Sequence, residues 1–204
     1  MTYEAKKFEL PELKGLSSEQ IKVHLGLYEG YVKHVNLIAE TLKGYEAYGD
    51  KASEGDRYAM AEMRRRFSFE FDGMRMHEYY FTQFEGEKAG DPKSALAKAA
   101  EEKYGSGENF LKHIRAVAGM RGIGWVNVYY DPRGATLHTT FVGDHELGQL
   151  AGLPIILALD LWEHAYMVDY KPAEKGSYID AFFDNLNWAV CEKRFEEAMS
   201  AKAP

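Results

Sequence analysis

The chain opens on a turn-rich stretch, residues 1 to 16, in which Phe8-Glu9-Leu10-Pro11 is followed by Lys14-Gly15. Ser17 and Ser18, followed by Glu19 and Gln20, then read as a helix cap with acidic and amide residues in the first turn. From there to about Tyr48 apolar residues recur at helical spacing. His24, Tyr28 and Tyr31 fall at i, i+4 and i+7 on one stripe. Gly44 and the segment Gly49 to Asp56 break that helix, and a second runs from about Arg57 to Phe84, closing an antiparallel hairpin. Residues 85 to 92 form the clearest linker. Two shorter helices follow, Pro92 to Lys103 and Gly107 to Met120, the second capped by Ser106.

The period then changes. Trp125 to Tyr130 and Ala135 to Phe141 are β-rich and flank the turn Asp131-Pro132-Arg133-Gly134, which predicts a hairpin. Leu153 to Leu159 is a continuous apolar run that reads as a buried third strand, and Tyr178 to Met199 as one long closing amphipathic helix. Residues 1–88 thus read as an N-terminal helical unit and 89–204 as a second unit that mixes helices with strands, an α+β arrangement.

Composition narrows the function classes. The 204 residues suffice for a sizeable core, and 14 Tyr, 11 Phe and 3 Trp mark a globular chain. Apolar runs as short as Leu153 to Leu159 span no bilayer, and the N-terminus lacks a secretory apolar core, so a soluble cytoplasmic protein is expected. A net charge of −7 argues against nucleic acid or an acidic membrane as partner. Arg64-Arg65-Arg66 is either a solvated face or a local anion-steering patch. Cys191 is the single cysteine, so any metal must be held by nitrogen and oxygen.

Asp160 ends the apolar strand, where an ionisable residue needs a partner, and His164 follows four residues later. If the chain turns into a helix there, both side chains share one face, either as a hydrogen-bonded pair or as half of a transition-metal site. His24 and His77 stand one on each arm of the hairpin. Each alone reads equally well as a packed core histidine. Together, three imidazoles and one carboxylate suit iron, manganese or zinc better than magnesium or calcium.

Asp160-x-Trp162-Glu163-His164-Ala165-Tyr166, Gly122-x-Gly124-Trp125, Asn187-Trp188 and Phe8-Glu9-Leu10-Pro11 with a first-helix histidine resemble, in that order along nearly the whole chain, the iron/manganese superoxide dismutases. The resemblance implies a helical hairpin domain followed by an α/β domain with a three-stranded antiparallel sheet. It implies one iron or manganese ion per subunit, bound by His24, His77, Asp160 and His164, and disproportionation of superoxide. Tyr31 resembles the family's gateway tyrosine, although its interval from His24 is one residue short, which leaves Tyr28 as a competitor. Gly73 stands at one of the places from which the family supplies a donor to the metal's solvent, so His145, within Asp144-His145, takes that role, the alternative being an exposed loop histidine. Trp125 and Trp162 wall the pocket. Glu163 is the residue that reaches the partner's ligand histidine across a twofold axis, implying a homodimer or, by pairing of dimers, a tetramer.

The chain departs from the family at Arg75, Met76, Asn127 and Met167, and lacks a second histidine near Tyr28. The entrance arginine has no clear counterpart, and Lys175 is its substitute for attracting an anion. Two rival readings use the same ligands: a zinc hydrolase, and a non-catalytic metal-binding or helical interaction protein.

Overall fold

The structure, a computed structural model, describes residues 2–200. Two long helices, α1 (Ser18–Glu46) and α2 (Glu54–Thr82), pack as an antiparallel hairpin, joined through a 3-10 turn at Gly49–Lys51. Ser17 caps α1 by accepting from Gln20 N–H. Ser53 and Asp56 form a reciprocal capping box that starts α2 three residues before the expected Arg57. The second half runs α3 (Ala95–Tyr104), α4 (Gly107–Ala118), β1 (Gly124–Asp131), β2 (Thr136–Gly143), β3 (Ile155–Asp160), α5 (Lys175–Asn185) and α6 (Trp188–Ser200). The fold is α+β, a helical hairpin followed by an α/β portion with a three-stranded antiparallel sheet in the order β2-β1-β3. Among the described residues no helix is long and apolar enough to cross a membrane.

β1 is the central strand and is buried from Gly124 to Tyr130, which explains why its sequence carries so little alternation. Gly124 is obligatory at its start. With φ of +137°, a Cβ there would fall 1.9 Å from the Val142 carbonyl oxygen. β3 is an edge strand covered by side chains from elsewhere. The Gln83 amide exchanges two hydrogen bonds with the Ala158 backbone, and the Arg194 guanidinium donates to the Ile156 carbonyl at 3.2 Å.

Two expectations are corrected. The closing helix is two helices, because Leu186 is extended (ψ 123°) and Asn187 directs its groups to the interhelical linker. Its side chain accepts from Ala89 N–H at 3.1 Å and donates to the Glu85 carbonyl at 2.7 Å, while its own N–H reaches the Gln83 carbonyl. The chain after Asp160 is likewise no α-helix. Trp162 N–H donates to Asp160 Oδ1 at 2.8 Å, a local turn that competes with helix, and only a single 3-10 turn at Glu163–Ala165 follows. Asp160 and His164 converge all the same.

Candidate metal centre

Each arm of the hairpin and the strand-to-turn junction contributes to one cluster. One donor atom from each of His24, His77, Asp160 and His164 lies within 4.8 Å of the others. Asp160 Oδ2 is at the centre, 3.0 Å from His24 Nε2, 3.2 Å from His164 Nε2 and 3.6 Å from His77 Nε2. The first three of the four residues are buried.

The surroundings hold His77 in the tautomer that binds a cation and fix the pose of Asp160 and of the turn carrying His164. His77 Nδ1 donates to the Gly73 carbonyl one turn back at 2.6 Å, leaving Nε2 as a lone pair. That buried Nε2 has no hydrogen-bond partner among the described residues. Asp160 keeps Oδ1 for the Trp162 amide, and its backbone carbonyl accepts from the Tyr178 hydroxyl at 2.7 Å. The turn carrying His164 is tied to α1 by Gln20, which donates to the His164 carbonyl and accepts from Val168 N–H.

Electrostatics agree with the donor chemistry. Burial, then the charge of His24, holds the His77 imidazole well below its ordinary pKa, and burial lowers that of His24 against the opposing pull of Asp160. Burial raises the Asp160 carboxyl, but the charge of His164 and hydrogen bonds from His164 and His24 outweigh it, so Asp160 stays ionised. Imidazoles gathered around a carboxylate, with the His77 lone pair unshared, fit a borderline transition-metal ion whose ligand distances are about 2.1 Å.

A second ring of side chains covers one side of the cluster. The Trp125 indole N–H donates to His145 Nδ1 at 2.9 Å, and His145 Nε2 lies 2.8 Å from the Tyr31 hydroxyl. Burial drops His145 to about 4, so the ring is neutral near neutral pH. Because Trp125 can only donate, the His145 proton is on Nε2 and is given to the Tyr31 oxygen. The Tyr31 hydrogen is thereby left free to point elsewhere. Trp162 stacks on both His145 (5.0 Å between ring centroids) and His164 (5.7 Å), and its indole N–H reaches the Asp144 carbonyl. Trp125 meets the His77 ring edge-on at 5.1 Å.

Tyr28 is turned differently. Its ring stacks 6.4 Å from His77, but its hydroxyl donates to Glu78 and accepts the Lys6 amide. His145 is wholly buried, unlike an exposed loop histidine. Glu163 is exposed on the turn, and Lys175 donates to the Met120 carbonyl at 3.1 Å. Of the departures, Arg75 pairs with Glu78 at 2.7 Å, and Asn127 donates to Met76 Sδ and to the Tyr129 hydroxyl. Met167 is partly exposed.

Several neighbours escaped sequence reasoning. Phe69 lies edge-on to His145 at 4.6 Å and beside Trp162 and Tyr31. Its signal was available, since Phe69, Gly73 and His77 share one helical stripe. Gly73 matters sterically too: a Cβ there would lie 2.8 Å from the Tyr31 ring. Tyr178 and Gln20 act through backbone carbonyls and left no pattern to read.

This constellation on this fold defines a mononuclear metalloprotein with a nitrogen-rich, nearly dry site. A family model, "Iron/manganese superoxide dismutases, C-terminal domain", matches residues 92–194. "Superoxide dismutase [Fe]" of Aquifex pyrophilus is 36% identical over 191 residues, 93% of this chain and 88% of that protein. "Superoxide dismutase [Fe]" of Sulfolobus acidocaldarius is 30% identical over 211 residues, 96% of each. "Superoxide dismutase [Mn] 1" of Halobacterium salinarum is 34% identical over 183 residues, 89% of this chain and 88% of that protein. The chain belongs to the iron/manganese superoxide dismutase family.

Proposed function

We infer that the protein disproportionates superoxide, using one iron or manganese ion held by His24, His77, Asp160 and His164. The observation that carries this is the convergence of three Nε2 atoms on Asp160 Oδ2, with the buried His77 lone pair unshared. When bound, the ion supplies one-electron chemistry, taking an electron from one superoxide and returning it to a second, so that two superoxides and two protons give oxygen and hydrogen peroxide.

The chain's own residues do the rest. Asp160 would contribute the single anionic protein donor, offsetting part of a divalent or trivalent charge. Trp125 orients His145 so that it presents Nε2–H to the Tyr31 oxygen, and Tyr31 in turn holds a transferable proton on its hydroxyl. Trp162 and Trp125 exclude water. The bonds of Tyr28 to Glu78 and Lys6 support a framework role for it and the gateway role for Tyr31. Relatives named for iron and for manganese support either metal. A single, buried cysteine, Cys191, suits the reducing cytoplasm.

The active form is a homodimer in this reading. Val23 and Leu27 on α1, and Met167 and Val168 just beyond the 3-10 turn that carries the exposed Glu163, are exposed apolar side chains. A symmetric pairing there would bring Glu163 to the partner's ligand turn, and pairing of dimers would give a tetramer.

Metal analysis of the purified protein with a superoxide-decay assay tests the function. Stoichiometric iron or manganese with dismutation is expected. Zinc without dismutation would favour the hydrolase reading. Glu163→Ala should shift the sedimentation profile toward monomer, and an unchanged profile would remove Glu163 from the interface.

A further inference from the structure

The substrate is an anion and the chain carries a net charge of −7, so approach needs a local cation near the mouth. The three consecutive arginines on α2 differ in what they do. Arg64 pairs with Glu46 at 3.6 Å and Arg65 with Glu62 at 3.5 Å, both on the exposed surface. Arg66 instead lays its guanidinium carbon 3.7 Å over the Phe69 ring. Phe69 is the ring that abuts His145, Trp162 and Tyr31. Only Nε of Arg66 is committed among the described residues, to Glu70 at 2.8 Å, and the side chain is 52% exposed. Its charge is felt at both His145 and Tyr31. Lys175, by contrast, is half-buried and turned onto a backbone carbonyl.

Resting on the superoxide dismutase reading, we propose that Arg66, stacked on Phe69, is the cation that draws superoxide to the Tyr31–His145 side of the site. The stack holds the charge beside Phe69, next to the Tyr31–His145 side of the site, while leaving the Nη groups to meet an anion. Glu70 fixes the head of the side chain and tempers its charge. Arg66 acts on approach and not on the electron transfer, so its contribution belongs to kcat/KM and fades with salt.

The test uses the metal-loaded enzyme as wild type, Arg66→Gln, Arg66→Lys and Lys175→Gln. Two readouts are followed from about 0.01 M to about 0.3 M salt: kcat/KM, and the Kd of azide, a small monovalent anion, read by absorbance. Arg66→Gln should lower kcat/KM and weaken azide roughly threefold at low salt, with the difference closing at high salt, and Arg66→Lys should restore most of both. Unchanged values in Arg66→Gln, or a larger loss in Lys175→Gln, would overturn the assignment. So would an equal loss in Arg66→Gln and Arg66→Lys at every salt concentration, which would mark a packing role for the stack. Wild-type protein that takes up metal yet neither dismutates superoxide nor binds azide would instead defeat the functional reading, and this inference with it.

Discussion

The two halves of the site, the ligand cluster and the ring of side chains beside it, are held by different means. His77 and Asp160 are each fastened to a backbone group, His77 to the Gly73 carbonyl and Asp160 to the Trp162 amide, and the Asp160 carbonyl accepts in addition from the Tyr178 hydroxyl. Tyr31, His145, Trp125 and Trp162, beside them, are linked mainly side chain to side chain. Backbone anchors survive most substitutions nearby, so the donor set is insulated. A chain of side chains is broken by any one change, so proton supply and metal preference are the properties open to tuning.

The largest effect should come from the ligand cluster. His77→Ala removes a donor and opens a void, and is expected to lose metal and at least about a hundredfold in dismutation together. Retained metal with near-normal superoxide decay would mean the ligand is misassigned. In the other half, His145→Ala should keep its metal by elemental analysis but lose about tenfold in turnover or change its preference between iron and manganese. Equal rates with both metals would take His145 out of the reaction.

The two tyrosines separate the halves more finely. Tyr31→Phe should cut turnover several-fold, whereas Tyr28→Phe should cost about 1 kcal/mol of stability in a denaturant melt through its lost bond to Glu78. The reverse pattern would exchange their roles.

The smallest effect belongs to a carboxyl outside both halves. Burial, then repulsion from Glu146, pushes the Asp72 carboxyl up to about 6. The unfolded chain's value is about 3.9, so ionised Asp72 destabilises the fold progressively as pH rises from about 4 through about 6. Below that window both states are protonated and nothing differs. Asp72→Asn should therefore raise the melting temperature at pH 7.5 by about 2–4 °C, the effect of a half-exposed carboxyl being discounted to about 1 kcal/mol. The gain should vanish near pH 4, and a gain independent of pH would assign it to something other than charge.

The hairpin, the three strands and their order along the chain were legible because each rests on local periodicity and caps. The clustering of His24, His77, Asp160 and His164 was legible because their types and intervals are unusual and the motif around Asp160 is specific. What escaped depends on distant partners. Leu186 and Asn187 break a helix that periodicity alone would continue, since Asn187 answers to the linker at Glu85 and Ala89. The turn after Asp160 follows from one carboxylate oxygen capturing the Trp162 amide, which spacing does not reveal. The Tyr31 position was ambiguous by a single residue of interval. Gly73, read only as a missing side chain, is the space into which the Tyr31 ring fits.

The side chains covering β3 have a wider consequence. Gln83 ends the hairpin, Arg194 belongs to the last helix, and both occupy the outer rail of the strand that delivers Asp160. That rail is therefore closed to recruitment by a neighbouring molecule's strand, the usual route from sheet margin to aggregate. The same bonds tie the first half of the polypeptide to the last. Amide protons of β3 should thus exchange with deuterium only when both halves part, late and as one cooperative event.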